Sequence, residues 1–157
     1  MSKKIEIPGW GNMDIENIVI DLNGTIATDG RIPLDVKEKM KPLTKIGKIY
    51  ILTADTQGTA NEEASGMNVE LIKIPEESSK NGKVEFLKTL DLELTVAIGN
   101  GNNDQLILKE AALGIAVLGD EGVSVSAMKS ADIVVKSIHD ALDLLLKPKR
   151  LIATLKE

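Results

Sequence analysis

The stretch IVIDLNGTIATDG, from Ile18 to Gly30, decides how the rest of this chain is interpreted. It begins as a continuous apolar run, ends that run on Asp21, and continues with Asn23, a glycine and a threonine. A short continuous apolar run is typical of a strand that is buried on both faces, as in a parallel sheet. The Asp29-Gly30 pair that follows favours a tight turn. The stretch therefore predicts an inner strand with a carboxylate at its end.

Five further apolar runs follow, and segments with helical periodicity separate them. The runs are Ile49 to Thr53, Val69 to Ile74, Thr95 to Ile98, Gly114 to Leu118 and Ile133 to Val135. This alternation predicts parallel β-α units, because parallel strands need crossover connections and cover on both faces. We expect an α/β fold, a doubly wound, three-layer Rossmann-like parallel sheet with helices on both faces. The weakly alternating segment KIEIP, residues 4–8, is expected to be an edge strand.

Length and composition narrow the function classes. A chain of 157 residues predicts a single domain over residues 1–157, with one core and one site. The formal net charge of -5 makes nucleic acid an unexpected partner, and no apolar stretch is long enough to predict a membrane span. The absence of cysteine excludes thiolate chemistry and agrees with a cytoplasmic location. The one histidine, His139, is interpreted as an ordinary helix residue.

Polar residues collect where the predicted strands end. Asp21 ends the first run, Thr53 ends the second, and GNGNND, Gly99 to Asp104, follows the fourth. In an open parallel sheet, ligands bind beyond the carboxyl ends of the strands, where the strand order reverses. A carboxylate, a hydroxyl and a cluster of amide and carboxylate oxygens suit a phosphoryl group held with Mg²⁺. The sequence therefore predicts a phosphate and magnesium site at this edge.

Four ordered motifs make the prediction specific. DLNGT resembles the DxDGT or DKTGT motif of the haloacid dehalogenase (HAD) superfamily, which includes the P-type ATPases. LTADTQGTA resembles their TGDxxxTA segment, AIGNGNNDQLILKEAALGIAVLG resembles their GDGxNDxxxLKxAxxGIA block, and SADIVV has its counterpart there. The resemblance covers residues 18–145. It implies a HAD-like fold and, most closely, a small soluble P-type-ATPase-like phosphatase.

The spacing of the motifs predicts a site without a cap domain. About one β-α unit separates Asp21 from Thr53, and another separates Thr53 from the lysine region, which leaves no room for an insertion. The site should therefore be open. Relatives with open sites use a neighbouring subunit of a homo-oligomer as cover or act on macromolecules, and the sequence does not choose between these. The substrate expected by default is a small phosphate compound.

The resemblance also implies a role for each matching residue. Asp21 would be the nucleophile that forms an aspartyl phosphate, Thr53 would donate to a phosphoryl oxygen, and Lys83 would neutralise charge, with Lys80 as the alternative. Asp55 could do no more than cap the following helix. The expected magnesium ligands are Asp21, Asn23 through its backbone carbonyl, Asn100 and Asp104. The expected phosphate-binding set is Asp21, Leu22, Asn23, Thr53, Ala54, Lys83 and Asn103.

Two positions depart from the family pattern. Asn23 stands where family phosphatases place an aspartate that acts as general acid and base, and Asn100 replaces a direct magnesium ligand. General acid-base catalysis contributes roughly 10²- to 10⁴-fold, so we expect slow turnover and a preference for good leaving groups such as acyl, aryl or anhydride phosphates. The alternative is a catalytically weakened module that senses phosphate or binds a protein. Dinucleotide binding by GNGNND is disfavoured because Asp104 occupies the third glycine position.

Overall fold

The computed structural model describes residues 3–54 and 58–157, and it begins with an antiparallel hairpin. Strands β1 (Lys3–Ile7) and β2 (Gly11–Ile15) pair only with each other within the described part of the chain. The edge strand predicted at KIEIP is present as β1, but it belongs to this separate hairpin and does not join the main sheet. Its partner β2 escaped prediction because only Met13 and Ile15 alternate with polar residues there, which is too short a pattern to indicate a strand.

A parallel sheet forms the centre of the molecule. Its strands are β3 (Asn17–Asp21), β4 (Lys48–Thr53), β5 (Glu70–Lys73), β6 (Thr95–Gly99), β7 (Leu113–Val117) and β8 (Ile133–Val135). Among the described residues they stand in the order β5-β4-β3-β6-β7-β8, and every neighbouring pair is parallel. All six predicted strands are present, within one residue of their predicted bounds.

Helices cover both faces of the sheet, as predicted for a doubly wound fold. They are α1 (Leu34–Leu43), α2 (Thr59–Glu63), α3 (Ser79–Leu87), α4 (Gln105–Glu110), α5 (Val125–Ser130), α6 (Ile138–Leu146) and α7 (Pro148–Leu155). None of the helices within 3–54 and 58–157 combines the length and the apolar character that crossing a bilayer requires. The described segments between strands hold no cap domain.

The central strand β3 shows why the three layers form. Ile18 and Ile20 are fully buried in one core with side chains of α1 and α6, and Val19 is fully buried in the opposite core with side chains of α3 and α4. Alternate side chains of a strand point to opposite faces, so an uninterrupted apolar strand requires cover on both. Each buried side chain of this size contributes about 1.5–3 kcal/mol of hydrophobic free energy.

The strand order reverses at β3. The chain runs from β3 through β4 to β5 on one side, and then returns to β6 on the other side of β3. Asp21 ends β3 beside Leu52 of β4, while Ile20 lies beside Ile98 of β6. The carboxyl ends of β3 and β6 therefore form the switch point, where open α/β sheets bind ligands.

Candidate active site at the carboxyl edge of the sheet

The segment after β3 folds back on itself and turns the side chain of Thr25 toward Asp21. The Ala27 N–H donates to the Leu22 carbonyl at 2.9 Å, and the Gly24 N–H donates to the Ala27 carbonyl at 2.8 Å. This loop buries Thr25 beside Asp21. Beyond it, Asp29 (φ 52°) and Gly30 (φ 81°) form the tight turn that their sequence predicts.

A buried lysine joins the two sides of the switch point. Lys83 Nζ, from α3, donates to Asp21 Oδ1 at 2.8 Å, to Asp104 Oδ1 at 2.8 Å and to Asn103 Oδ1 at 2.9 Å. Lys83 is 4% exposed, and both carboxylates are also buried. Lys80, the alternative lysine, is exposed one turn earlier on the same helix. The structure thus brings Lys83, and not Lys80, to Asp21.

Burial and like charge perturb the ionisation of this cluster. Burial raises the pKa of Asp21 to about 7, and the nearby Asp104 carboxylate adds to the rise, against the opposing influence of Lys83 and Thr25. Burial lowers the pKa of Lys83, but the two carboxylates outweigh it and hold the pKa above its ordinary value. The lysine therefore stays protonated, and the cluster holds more negative charge than one lysine offsets.

Asp104 is fixed by hydrogen bonds on both oxygens. Its Oδ1 accepts from Lys83, and its Oδ2 accepts from the backbone N–H groups of Asn100 and Gly101 at 3.0 Å each. A Cβ at Gly99 would lie 2.5 Å from Asp104 Cγ, so only glycine permits this approach. Asp104 therefore holds Lys83 and the loop after β6 in place.

Asn100 and Thr25 connect the loop after β6 to the nucleophile candidate. Thr25 Oγ1 lies 3.3 Å from Asp21 Oδ2 and 3.1 Å from Asn100 Oδ1. Asn100 Nδ2 donates to the Gly122 carbonyl at 3.2 Å. A Cβ at Gly24 would lie 2.5 Å from this nitrogen, so glycine is required where the two loops meet.

A cavity of about 380 Å³ opens above these groups. It is lined by six of the predicted site residues: Asp21, Asn23, Ala54, Lys83, Asn100 and Asn103. It is also lined by Gly101 and Asn102 of the GNGNND cluster, and by Ile74 and Ser79, which the sequence did not single out. The side chain of Asn23 is exposed at the mouth. Small phosphate compounds fit a cleft of this size.

The remaining predicted site residues lie beside the cavity. Thr53 is buried at the end of β4, directly before Ala54. Asp55 lies outside the described residues. Leu22 does not line the cavity: its side chain is buried in the core and its N–H donates to the Leu52 carbonyl at 3.0 Å, so its phosphate contact stays a prediction that this geometry does not favour. Thr25 was missed, although it stands in the DLNGT motif, because only the fold-back of the chain turns it inward.

The donor set fits a hard cation of modest binding strength. Among the residues that the structure describes, no three acidic, histidine or cysteine side chains converge on a metal position. The oxygens that do converge are Asp21 Oδ2, Thr25 Oγ1 and Asn100 Oδ1. Oxygen ligands of this kind suit Mg²⁺, and the excess negative charge of the cluster favours a cation there. Only one of these three ligands, Asp21, is a carboxylate, so the negative charge that attracts a cation is lower than in a site with several carboxylates.

Comparison with known proteins agrees with the motifs. No family model matches the chain. It is 52% identical over 84 residues to an uncharacterized protein of Methanocaldococcus jannaschii, a match that covers 51% of this chain and 90% of that one. It is 29% identical over 147 residues to a soluble P-type ATPase-like phosphatase of the same organism, covering 90% of this chain. The chain spans about half of that phosphatase, 54% of its length.

The fold has close counterparts among solved structures. A 3-deoxy-D-manno-octulosonate 8-phosphate phosphatase from Moraxella catarrhalis, solved with magnesium, phosphate and the sugar, superposes with a TM-score of 0.70 at 17% identity. The match covers 90% of this chain and 94% of that chain. The chain is therefore similar in sequence to a soluble P-type ATPase-like phosphatase, and it shares its fold with phosphatases and with a putative hydrolase of the haloacid dehalogenase superfamily from Legionella pneumophila.

Proposed function

We propose that this protein is a magnesium-dependent phosphohydrolase that acts through an aspartyl phosphate on Asp21, within one domain that spans residues 1–157. One observation carries the proposal: the Asp21 carboxylate ends the central strand, lines an open cavity, and lies 2.8 Å from a buried, protonated lysine. The similarity to phosphatases supports the reaction class. A small phosphate compound is the substrate class that the cavity accommodates.

In the first step, an oxygen of Asp21 attacks phosphorus while the bond from phosphorus to the leaving-group oxygen breaks. Lys83 and Thr53 are the proposed donors to the phosphoryl oxygens, where negative charge is held during transfer. Asn103 adds its amide at the cavity wall. The leaving group departs toward the mouth, where the exposed side chain is Asn23. An asparagine cannot donate a proton as an acid does, so the leaving group must be stable as an anion or take its proton from water.

In the second step, water attacks phosphorus and the Asp21 carboxylate is released with inorganic phosphate as the product. Asn23 cannot accept the water's proton, so the proton passes to solvent or to a phosphoryl oxygen. The aspartyl phosphate should therefore persist longer than in an enzyme with an acid at position 23. Slow turnover and a preference for acyl, aryl or anhydride phosphates follow from the same residue.

The chain's own residues indicate how a magnesium ion would be held. Asp21 through its carboxylate, Asn100 through Oδ1 and Asn23 through its backbone carbonyl are the proposed ligands. Asp104 is proposed to position Lys83 and the loop after β6 instead of binding metal, because three hydrogen bonds hold its fully buried oxygens and, unlike Asp21, it does not line the cavity. When bound, Mg²⁺ would offset the charge shared by the carboxylate and the phosphoryl group.

A second candidate function is a phosphate-binding module with weakened catalysis. It is favoured by the two amides at positions 23 and 100, which remove an acid-base group and one metal-binding charge. The cavity and the buried Lys83 would still hold an anion in such a protein. The two candidates differ in whether a covalent intermediate forms.

The experiment is to incubate the purified protein and its Asp21→Asn variant with acetyl phosphate or p-nitrophenyl phosphate, with and without Mg²⁺. The enzyme proposal expects Mg²⁺-dependent phosphate release and an acid-stable, hydroxylamine-sensitive phosphoprotein, both lost in the variant. If the wild type releases no phosphate and traps no phosphoprotein, the enzyme proposal fails. Calorimetric binding of inorganic phosphate in that case would favour the binding module.

A further inference from the structure

The amide of Asn100 is held at both ends by groups of opposite hydrogen-bonding character. Its nitrogen lies 3.2 Å from the Gly122 carbonyl oxygen, and its oxygen lies 3.1 Å from the Thr25 hydroxyl. A carbonyl oxygen can only accept, so the end that faces Gly122 must carry hydrogens. The neighbouring groups therefore determine which end of the amide is the nitrogen and which is the oxygen.

The backbone of Asn100 is fixed as well. Its N–H donates to Asp104 Oδ2 at 3.0 Å, and its carbonyl accepts from the Ser124 N–H at 2.8 Å. The nitrogen end of the side chain packs against Gly24, where even a Cβ would lie 2.5 Å away. The side chain thus has little freedom to turn away from Gly122.

We propose that Asn100 is a positioning residue that must be an amide: it ties the Gly119–Gly122 turn to Thr25 and Asp21, and a carboxylate cannot replace it. This inference goes beyond the proposed reaction, because it gives the amide at position 100 a role in holding the site together. An aspartate at position 100 would place a carboxylate oxygen about 3 Å from the Gly122 carbonyl, with no hydrogen between the two acceptors. Asn100 then holds the two loops together, and replacing it with the family's aspartate should destabilise the protein.

A matched pair of variants tests the proposal. Asn100→Asp and Asn102→Asp make the same chemical change on the wall of the same cavity, but Asn102 is exposed and its Oδ1 accepts from the Ser126 hydroxyl at 2.7 Å, so a carboxylate there keeps a donor and stays hydrated. In metal-free protein, N100D should lower the melting temperature by at least about 3 °C, as expected for a buried acceptor without a donor in a chain of this size. N102D should change it by less than about 1 °C.

Magnesium binding gives a second readout, and this one rests on the proposed function. Titration with MgCl₂ alone should show N100D binding Mg²⁺ no more than about threefold tighter than the wild type, although the variant adds a negative charge. An N100D protein that keeps the wild-type melting temperature, or that binds Mg²⁺ more than threefold tighter, overturns the inference. A wild type that binds no Mg²⁺ would contradict the proposed function, while the melting temperatures would still decide this inference.

The Thr25 contact is tested by a double-mutant cycle. Thr25→Val removes the hydroxyl, and Thr25→Ser keeps it. If Thr25 acts through Asn100, the melting-temperature losses of T25V and N100A should fall short of additivity by at least about 2 °C in the double variant, because both delete the same contact. T25S should restore most of the loss caused by T25V. Full additivity, or a T25S protein as unstable as T25V, overturns this part of the inference.

Discussion

Two clefts lie at opposite edges of the same sheet, and the larger one has fewer features of a catalytic site. The cleft at the amino edge has a volume of about 680 Å³, and its wall includes Glu16, Lys48 and Glu70. The cleft at the carboxyl edge has about 380 Å³ and includes Asp21 and Lys83. Both contain an ion pair of similar length: Lys48 lies 3.0 Å from Glu70, and Lys83 lies 2.8 Å from Asp21.

Solvent exposure separates the two pairs. The Lys48 and Glu70 side chains are 61% and 49% exposed, whereas those of Lys83 and Asp21 are 5% and 10% exposed. Water screens the first pair almost completely, so that pair contributes little. The second pair is costly to bury, and Asp104 adds a second negative charge to it. Buried and unbalanced charge, and not cleft volume, marks the edge at which chemistry is expected.

The largest expected effect is the loss of phosphate release in Asp21→Asn. Removal of the nucleophile should lower the rate by at least about 10³-fold, as deletion of a covalent catalyst does elsewhere. Glu70→Gln, in the larger cleft, should leave the rate within about twofold. Both are measured with acetyl phosphate and Mg²⁺. A comparable loss in both variants would mean that the two clefts do not differ in the way proposed.

Stability should separate the two lysines. Lys83→Met leaves two buried carboxylates without their cation, so its free energy of unfolding at pH 7 should fall by about 3–5 kcal/mol. Lys48→Met removes an exposed partner and should change the free energy of unfolding by less than about 1 kcal/mol. Urea unfolding of the two variants beside the wild type measures the difference. Equal effects would contradict the contrast between buried and exposed pairs.

The sequence predicted the carboxyl edge better than the molecule's amino-terminal hairpin. The polar residues at strand ends could be found because each terminates an apolar run, and the topology that brings them together follows from strand and helix alternation. Lys83 could be preferred over Lys80 only through the motif order, whereas burial separates them at once. Thr25 could not be assigned, because its inward position depends on the loop that folds back onto Leu22.

A gain of function should follow from Asn23→Asp. The new carboxyl group would stand at the exposed mouth of the cavity, where it can exchange protons with the leaving group and with water. We expect hydrolysis of the aspartyl phosphate to become about 100-fold faster, which is the lower end of the range for acid-base catalysis. Decay of the trapped phosphoprotein measures it.

The control for Asn23→Asp is Asn102→Asp, which adds the same charge on the same cavity at another exposed position. Equal acceleration in both variants would assign the effect to charge and not to proton transfer. No acceleration in either variant would show that the amide at position 23 does not limit turnover.

The last expected effect is a pH dependence of stability that arises at the carboxyl edge. The pKa of Asp21 is raised to about 7 in the folded protein, against an ordinary value of 3.8, with burial as the main cause. Between these values the unfolded chain has released the proton and the folded protein still binds it, so raising the pH favours unfolding. The metal-free wild type should therefore lose stability relative to Asp21→Asn from about pH 4 to about pH 7, and the difference should level off above that.

Melting temperatures of both proteins between pH 5 and pH 8.5 measure this difference, and Glu70→Gln serves as the control. The Glu70→Gln profile should run parallel to the wild type, because Glu70 is exposed at the other cleft. Mg²⁺ should stabilise the wild type more at pH 8 than at pH 6, since cation and proton compete for the same carboxylate. Parallel wild-type and Asp21→Asn profiles would contradict the raised pKa, and the carboxyl edge would then lack the unbalanced charge that distinguishes it from the larger cleft.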